Sequence, residues 1–351
     1  MSNNTKTIAL AGGGTAGHIV PHLAALPLLK QRFSRIIYFS SGKEIEKKLF
    51  FNSGAELFGF NPPAFSRSLK PSNLAIPFKL AKAVKDAMRI LEKTHTDVVF
   101  SKGGYCALPV CIAAKKLNIP YVCHESDLSL GLANKLTYKS SRALLTVFPE
   151  TAEKYGGICV GPPIRSDLDD YDKATAKKLL GTDDKKPLLL VTGGSQGSAK
   201  INGVIRDNLT ELTKRYYVLH LTGEKDKAGY KSINGYFPIP FGDMRICLSA
   251  CDICISRGGS NTLFELLYKR VPCVIVPLKK SSRGDQQKNA GYFLKKNALI
   301  CCDEDDLSDN VISLCDTLIK NYDYYRKNIE TLGIKNGTKE MVKHVLNCVR
   351  F

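Results

Sequence analysis

The segment running from Cys251 and Asp252 to Asn289 constrains this chain more than any other. It opens on a strand-length apolar run (Ile253, Cys254, Ile255), breaks at Arg257-Gly258-Gly259-Ser260-Asn261, and resumes with helical spacing through Leu263, Leu266 and Leu267. A second apolar strand, Val274 to Val276, follows and ends at Pro277. Strand, glycine turn and helix in that order let backbone N–H groups approach an anion. The helix N-terminus adds about half a positive charge of dipole.

The same punctuation recurs. Residues 6 to 11 read as a buried strand ending at Gly12-Gly13-Gly14-Thr15-Ala16-Gly17-His18, and an apolar helix runs from Val20 through Leu29, with Pro21 tolerated in its first turn. Asp97 to Phe100 lead to Lys102-Gly103-Gly104-Tyr105, a helix through Ile112 to Leu117 and a strand at Tyr121 to His124. A further strand spans Ala143 to Val147. Pro187 to Thr192 form a continuous apolar strand, and Gly193-Gly194-Ser195-Gln196-Gly197 opens a helix with Ile201, Ile205, Leu209 and Leu212 on one face. Strands are expected at Tyr217 to Leu221 and near Pro238 to Phe241, with C-terminal helices from about Asn310.

This alternation predicts an α/β fold of two Rossmann-like domains with parallel sheets, whose ligands bind outside the carboxyl ends of the strands. At 351 residues the chain suits two domains. The stretch Val160-Gly161-Pro162-Pro163-Ile164-Arg165 reads as the linker. The expected division is residues 1–161, residues 162–338, and a last helix at 339–351 returning toward the first domain. A dehydrogenase is disfavoured: the strand Arg35 to Ser40 ends in Ser-Ser-Gly without the acidic residue that holds an adenine ribose.

Hydrophobic content is 44%, and no apolar run approaches the roughly 18 to 20 residues of a membrane span. The opening residues, MSNNTKT, lack a basic-then-apolar signal, so a cytosolic protein is expected. The 12 cysteines are scattered through apolar strands without zinc-ligand spacing, which predicts reduced, buried thiols and no metal site. A net charge of +18 calls for an anionic partner. No nucleic-acid-binding module is present, and a membrane surface fits better. The basic helix from about Phe78 carries Leu80, Val84, Ala87 and Leu91 at helical spacing, with Lys79, Lys82, Lys85 and Arg89 between them. It either packs on the sheet with a solvated lysine face, or joins Phe58, Phe60 and Phe65 in touching a membrane.

Several side chains carry candidate chemistry. Diphosphate suits the glycine turns, with the Ser195 hydroxyl added in one and Ser260-Asn261 opening the helix of another. Glu265 offers a carboxylate to two ribose hydroxyls, and Asp285 and Gln286 offer an acceptor and an amide to a sugar. His18 is a candidate base for a sugar hydroxyl, or a histidine that caps and packs at a helix start. Glu125 is a second base candidate, or a carboxylate that orients His124 or a helix end.

Together these segments resemble the UDP-sugar sites of GT-B glycosyltransferases, which have two Rossmann-like domains facing across a cleft. More narrowly they resemble the MurG family, which makes lipid II. Four motifs agree in order: Gly12 to His18; Ser101 to Tyr105 with His124-Glu125 and Asn134-Lys135; Gly193 to Gly197; and Arg257 to Gln286. Their agreement covers nearly the whole chain. The resemblance implies an inverting enzyme that moves N-acetylglucosamine from UDP-N-acetylglucosamine to the muramyl 4-hydroxyl of lipid I, an undecaprenyl-diphosphate-linked muramyl peptide. It implies no cofactor and no metal, and a peripheral place on the cytoplasmic face of the cell membrane. By the same resemblance His18 is the proposed base, Thr15, Ala16, Gly17 and Asp127 are binding positions, and Arg165 and Gln196 serve the diphosphate. Phe241, in Phe241-Gly242-Asp243-Met244, lies where family backbone groups read uracil. Asp127 stands where an asparagine is frequent. A glycosyltransferase acting on diacylglycerol or another lipid, and a nucleotide-binding subunit without catalysis, remain as alternatives.

Overall fold

The computed structural model describes residues 6–63, 75–194, 196–224, 226, 233–279 and 284–349. Phe65, Ser195 and Arg283 lie outside the described residues, as does the side chain of Ala16. The chain divides into two compact units: residues 1–165 with 336–351, and residues 166–335.

Unit 1 is built on seven strands, β1 (Thr7–Ala11), β2 (Arg35–Ser40), β3 (Glu56–Gly59), β4 (Val98–Ser101), β5 (Tyr121–Glu125), β6 (Ala143–Thr146) and β7 (Ile158–Cys159). They form one parallel sheet in the order β3-β2-β1-β4-β5-β6-β7. At its centre Ile8 pairs with Ile36 on one side and Val98 on the other. The central strands are apolar on both faces because helices cover both. Ala9, Ile37 and Val99 pack toward Ala83, Ala87 and Leu91 of the helix Ile76–Lys93. Ile8, Leu10 and Val122 pack with Ile19 and Leu26. That second face is completed by Met341, Val342 and Val345 of the helix Thr338–Leu346, from the far end of the sequence.

Unit 2 contains β8 (Leu188–Thr192), β9 (Tyr217–Leu221), β10 (Tyr236–Ile239), β11 (Ile253–Ser256), β12 (Cys273–Ile275) and β13 (Ile300–Cys301). These too are parallel, ordered β10-β9-β8-β11-β12-β13. Strand order reverses between β1 and β4 in unit 1 and between β8 and β11 in unit 2. These are the points where doubly wound sheets open a crevice.

The two chain segments that pass between the units lie side by side. Gly337 N–H donates to Pro162 O at 2.8 Å, Asn336 Oδ1 accepts from the amides of Ile164 and Thr338, and the Thr338 hydroxyl donates to Ile164 O at 2.9 Å. A Cβ on Gly337 would fall 2.1 Å from Val160 O, so only glycine allows this approach.

Several expectations need correction. The single helix drawn through Ile201 and Leu212 is two, Ala199–Asp207 and Leu209–Arg215, joined at Asn208. The strand placed near Pro238 runs two residues earlier. The helix Glu44–Phe50 was not foreseen, since seven residues are too few for periodicity to declare themselves. Phe60 is buried and meets Phe39 edge-on at 5.5 Å, so it belongs to the core and is no membrane contact. Phe58 is partly buried against the same core, whereas Phe78 stands 80% exposed.

Candidate functional site

In each unit the glycine turns gather at the point of strand reversal. In unit 1, Gly12–Thr15 follows β1 and Lys102-Gly103 follows β4, and Lys102 N–H donates to Ala11 O at 2.8 Å, which locks the two turns together. A Cβ on Gly12 would lie 2.8 Å from Lys102 Cβ. The N-cap residues of the helices that start here, Thr15 before Ala16–Leu29 and Gly103 before Gly104–Lys116, make no side-chain cap bond. Such helix ends present N–H groups to a ligand.

His18 is oriented by its surroundings. Its Nδ1 lies 3.0 Å from Thr15 Oγ1, and a Cβ on Gly104 would sit 3.2 to 3.3 Å from three of its ring atoms, so the ring lies flat on the Gly104 backbone. Gly104 has φ +79°, a conformation that also favours glycine.

Glu46, which the sequence did not single out, holds the first turn from behind. It is fully buried. Its Oε1 accepts from Gly14 N–H and from Ser41 Oγ, each at 2.8 Å, and Oε2 accepts from Ser40 Oγ at 2.6 Å. A Cβ on Gly13 would come within 2.5 Å of Oε1, and one on Gly14 within 2.5 Å of the Tyr105 ring. Lys43 Nζ donates to Gly14 O at 2.9 Å on the other side of the turn.

A second buried network lies under Gly103. Lys102 Nζ hydrogen-bonds His124 Nδ1 and donates to Ser126 Oγ at 2.7 Å. Burial pushes the Lys102 ammonium down to about 7, against the pull of Glu125 and Asp127. Burial, with the Lys102 charge beside it, holds His124 well below the usual imidazole range. His22 in the adjoining helix is driven down to about 3 by burial.

The Glu125 carboxylate is held by three donors. Its Oε2 accepts from Gly131 N–H at 2.7 Å and from Asn134 Nδ2 at 3.0 Å, while Oε1 accepts from Asp127 N–H at 3.2 Å. The carboxylate therefore shapes the loop from β5 to the helix Leu132–Thr137, whose cap is Gly131. Burial and the neighbouring Asp127 raise its pKa. Of the two readings open from the sequence, this geometry supports the one in which Glu125 holds a helix end.

In unit 2 the corresponding turn is packed by backbone. A Cβ on Gly197 would fall 2.0 Å from Thr222 O, one on Gly193 2.3 Å from Ser198 N, and one on Gly223 2.5 Å from Gly197 N. The turns after β8 and β9 thus touch main chain to main chain. Gln196 lies between Gly194 and Gly197, both at positive φ. Across the reversal, Arg257 follows β11 and is nearly buried: it donates to Val276 O at 3.1 Å, to Ser198 Oγ at 2.5 Å, and pairs with Glu304.

The helix Ser260–Tyr268 starts after its N-cap residue Gly259, which makes no side-chain cap bond, and Ser260 and Asn261 form its first turn. Glu265 follows one turn on and is 8% exposed. The helix Asp285–Leu294 starts after Gly284, also without a side-chain cap, and abuts the same turn: a Cβ on Gly258 would lie 2.8 Å from Gln286 O. Gln286 Oε1 accepts from Leu278 N–H at 3.0 Å, which ties the helix to the end of β12. The structure thus brings Gln196, Ser260, Asn261, Glu265, Asp285 and Gln286 to one sheet edge. Phe241 is half-exposed beyond β10, and Arg165 is the last residue of unit 1 before the chain enters unit 2. Glu46 and Gly223 were missed, and Lys102 and Arg257, though inside motifs the sequence offered, were given no role, because all four act through tertiary partners with no local spacing signal.

Comparison with known proteins follows this division. Residues 8–146 match the glycosyltransferase family 28 N-terminal domain, and residues 188–345 the family 28 C-terminal domain. The chain is 36% identical over 346 residues to the UDP-N-acetylglucosamine–N-acetylmuramyl-(pentapeptide) pyrophosphoryl-undecaprenol N-acetylglucosamine transferase of Clostridium botulinum, covering 96% of this chain and 98% of the relative. It is 37% identical over 313 residues to the transferase of that name from Staphylococcus aureus, covering 87% and 88%. Among solved structures, MurG of Acinetobacter baumannii superposes with a TM-score of 0.76 at 22% identity, covering 98% of this chain and 99% of that one, and shows the fold. With both domains matched in order and relatives aligned over nearly its full length, the chain belongs to glycosyltransferase family 28, and within it to the MurG family.

Proposed function

We propose that this protein transfers N-acetylglucosamine from UDP-N-acetylglucosamine to the muramyl 4-hydroxyl of lipid I, forming lipid II with inversion at the sugar's anomeric carbon. The observation that carries this reading is the 36% identity, over 96% of the chain, to a relative named for that transfer.

The donor is assigned to unit 2. The turn Gly193 to Gly197 and the open helix starts at Ser260 and Asp285 present amides to its diphosphate, and Glu265 takes the ribose hydroxyls. Ser260 and Asn261 add side-chain groups there, Asp285 and Gln286 face the sugar, and the backbone near Phe241 faces the uracil. Ser195 and Gln196 complete this set by resemblance. The acceptor is assigned to unit 1, with Thr15 to Gly17 and Asp127 at its edge.

The reaction is one displacement. The acceptor's O4 forms a bond to C1 as the bond from C1 to the diphosphate oxygen breaks, UDP leaves with the electron pair, and the hydroxyl proton passes to His18. For Nε2 to receive that proton, Nδ1 must carry hydrogen and donate to Thr15 Oγ1, the arrangement that their 3.0 Å separation accommodates. Helix N-termini and Arg165 stabilise the charge on departing UDP, and no metal ion takes part. We assign the protein to the cytoplasmic face of an anionic membrane. The charge of +18 and the exposed Phe78, Lys79, Lys82, Lys85 and Arg89 of Ile76–Lys93 support that placement, and no described helix is long and apolar enough to cross a membrane.

The test is transfer of labelled N-acetylglucosamine to a short-chain lipid I analogue with EDTA present and a diacylglycerol acceptor in parallel. Product from lipid I alone is expected. Product from diacylglycerol alone would overturn the acceptor, and loss of transfer in EDTA that added metal restores would overturn metal independence.

A further inference from the structure

Two polar side chains lie in the core of unit 2 beside apolar neighbours. His220 stands in β9 between Leu219 and Leu221 and is fully buried, and Asn202, 1% exposed, follows Ile201 in the helix Ala199–Asp207. An asparagine inside a helix and a buried imidazole both cost stability unless their polar atoms are bonded. Here the bonds form one chain. The Asn202 amide nitrogen donates to Thr222 O at 2.9 Å and to the Asp226 carboxylate, which also accepts from Arg206 at 2.7 Å. Its amide oxygen therefore faces His220 Nε2, 3.0 Å away, and can only accept. Nε2 carries the hydrogen. Burial holds the ring to about 4 and so neutral, and Nδ1 accepts from the Tyr236 hydroxyl of β10 at 3.0 Å.

The chain of bonds ends against a glycine turn. Thr222 O, held by Asn202, is the atom 2.0 Å from which a Cβ on Gly197 would fall, and Gly197 closes the turn Gly193 to Gly197. On its other side the same segment reaches β10: Thr222 N–H donates to Ile239 O at 3.0 Å and Gly223 N–H to Pro240 O at 3.1 Å, next to Phe241. Thr222 and Asp226 belong to the segment that has to be placed, so neither is its fixed point. His220 is, because its backbone lies in register between Val191 of β8 and Pro238 of β10. We propose that His220 is a positioning residue for the donor: its Nε2–H fixes the Asn202 amide, and Asn202 fixes the segment after β9 against the turn Gly193 to Gly197. The inference rests on the transferase reading above, which gives that turn the diphosphate of UDP-N-acetylglucosamine. A binding turn keeps its geometry only when the groups behind it are themselves held by packing and hydrogen bonds.

The experiment is steady-state kinetics on the full chain, with UDP-N-acetylglucosamine and the short-chain lipid I analogue each varied, for wild type, His220→Phe, His220→Gln and Tyr236→Phe. His220→Phe keeps a buried ring without its hydrogen bonds and is expected to raise donor KM about tenfold, with acceptor KM and kcat within about twofold of wild type. His220→Gln, whose amide nitrogen replaces the Nε2–H donor, is expected to bring donor KM back to within about threefold of wild type. Tyr236→Phe removes only the donor to Nδ1 and is expected to raise donor KM about threefold. Unchanged donor KM in His220→Phe, or equal donor KM in His220→Phe and His220→Gln, overturns the inference. Should His220→Phe fail to fold, Tyr236→Phe decides it, and a wild-type donor KM there overturns it. A role limited to folding would lower the yield of active enzyme and leave donor KM unmoved, which overturns it too. No transfer by the wild type would instead overturn the reading on which the inference stands.

Discussion

The two central glycine turns occupy equivalent places, each after the strand beside the reversal of its sheet, yet they are held by different means. In unit 1 the turn Gly12 to Thr15 is clamped by side chains, with Glu46 behind, Tyr105 over Gly14 and Lys43 on its carbonyl. In unit 2 the turn Gly193 to Gly197 is clamped by main chain, against Thr222 and Gly223. A side-chain clamp can be retuned by substitution, and it brings charge to the site. A backbone clamp tolerates nothing larger than hydrogen and leaves the turn's electrostatics to its own amides.

The largest expected effect separates these directly. Gly197→Ala would put a methyl 2.0 Å from Thr222 O at a φ of +73°, and should destabilise unit 2 by about 4 kcal/mol or more in urea unfolding. Gly13→Ala should cost less, and Glu46→Ala in the same chain should restore part of the loss, because the offending atom is a side-chain oxygen. Restoration of Gly197→Ala by any single side-chain truncation would break the contrast. Next, His18→Ala should lower kcat about 10²- to 10³-fold with donor KM little changed; unaltered turnover would remove His18 from the chemistry.

Glu304→Ala tests a nearly buried charge pair of unit 2. It leaves Arg257 nearly buried without its carboxylate and should cost about 3 kcal/mol, read from the shift in urea midpoint. Acid should act on both units alike. His22 in unit 1 and His220 in unit 2 are held by burial to about 3 and about 4, so both stay neutral in the folded protein while the unfolded chain takes up protons below about 6.5. That stability is complete above about 6.5 and is lost as the pH falls toward the folded values, roughly 2 kcal/mol per histidine by pH 5. Thermal melts at pH 7 and pH 5 with His22→Leu and His220→Leu would show it, and equal acid sensitivity in these variants would contradict it. The smallest effect is on binding: Glu265→Ala should weaken UDP-N-acetylglucosamine about tenfold by calorimetry, leaving the fold intact.

Much of the architecture was legible because it is written in local pattern. Strand runs such as Arg35 to Ser40 and Tyr217 to Leu221, and the turns that follow Ala11, Ser101, Thr192 and Ser256, declare themselves by apolar length and glycine. The residues facing those turns were legible as well, since they follow the glycines directly. Glu46 was not, because it reaches Gly14 across 32 residues, and neither was the pairing of Lys102 with His124, which requires β4 and β5 to be neighbours. Glu125 could be noticed but not given a role, because a carboxylate's task depends on which amides fold back onto it.

The helix Thr338–Leu346 has a consequence for the order in which the molecule can be completed. Unit 1 needs Met341, Val342 and Val345 to cover Ile8 and Leu10, and these residues leave the ribosome only after all of unit 2 has been made. Through that interval one face of the first sheet lacks part of its cover, while residues 166–335 are free to fold as a continuous piece. A nascent chain stalled before residue 338 should therefore carry a finished second unit and a first unit that chaperones and proteases still recognise as unfinished.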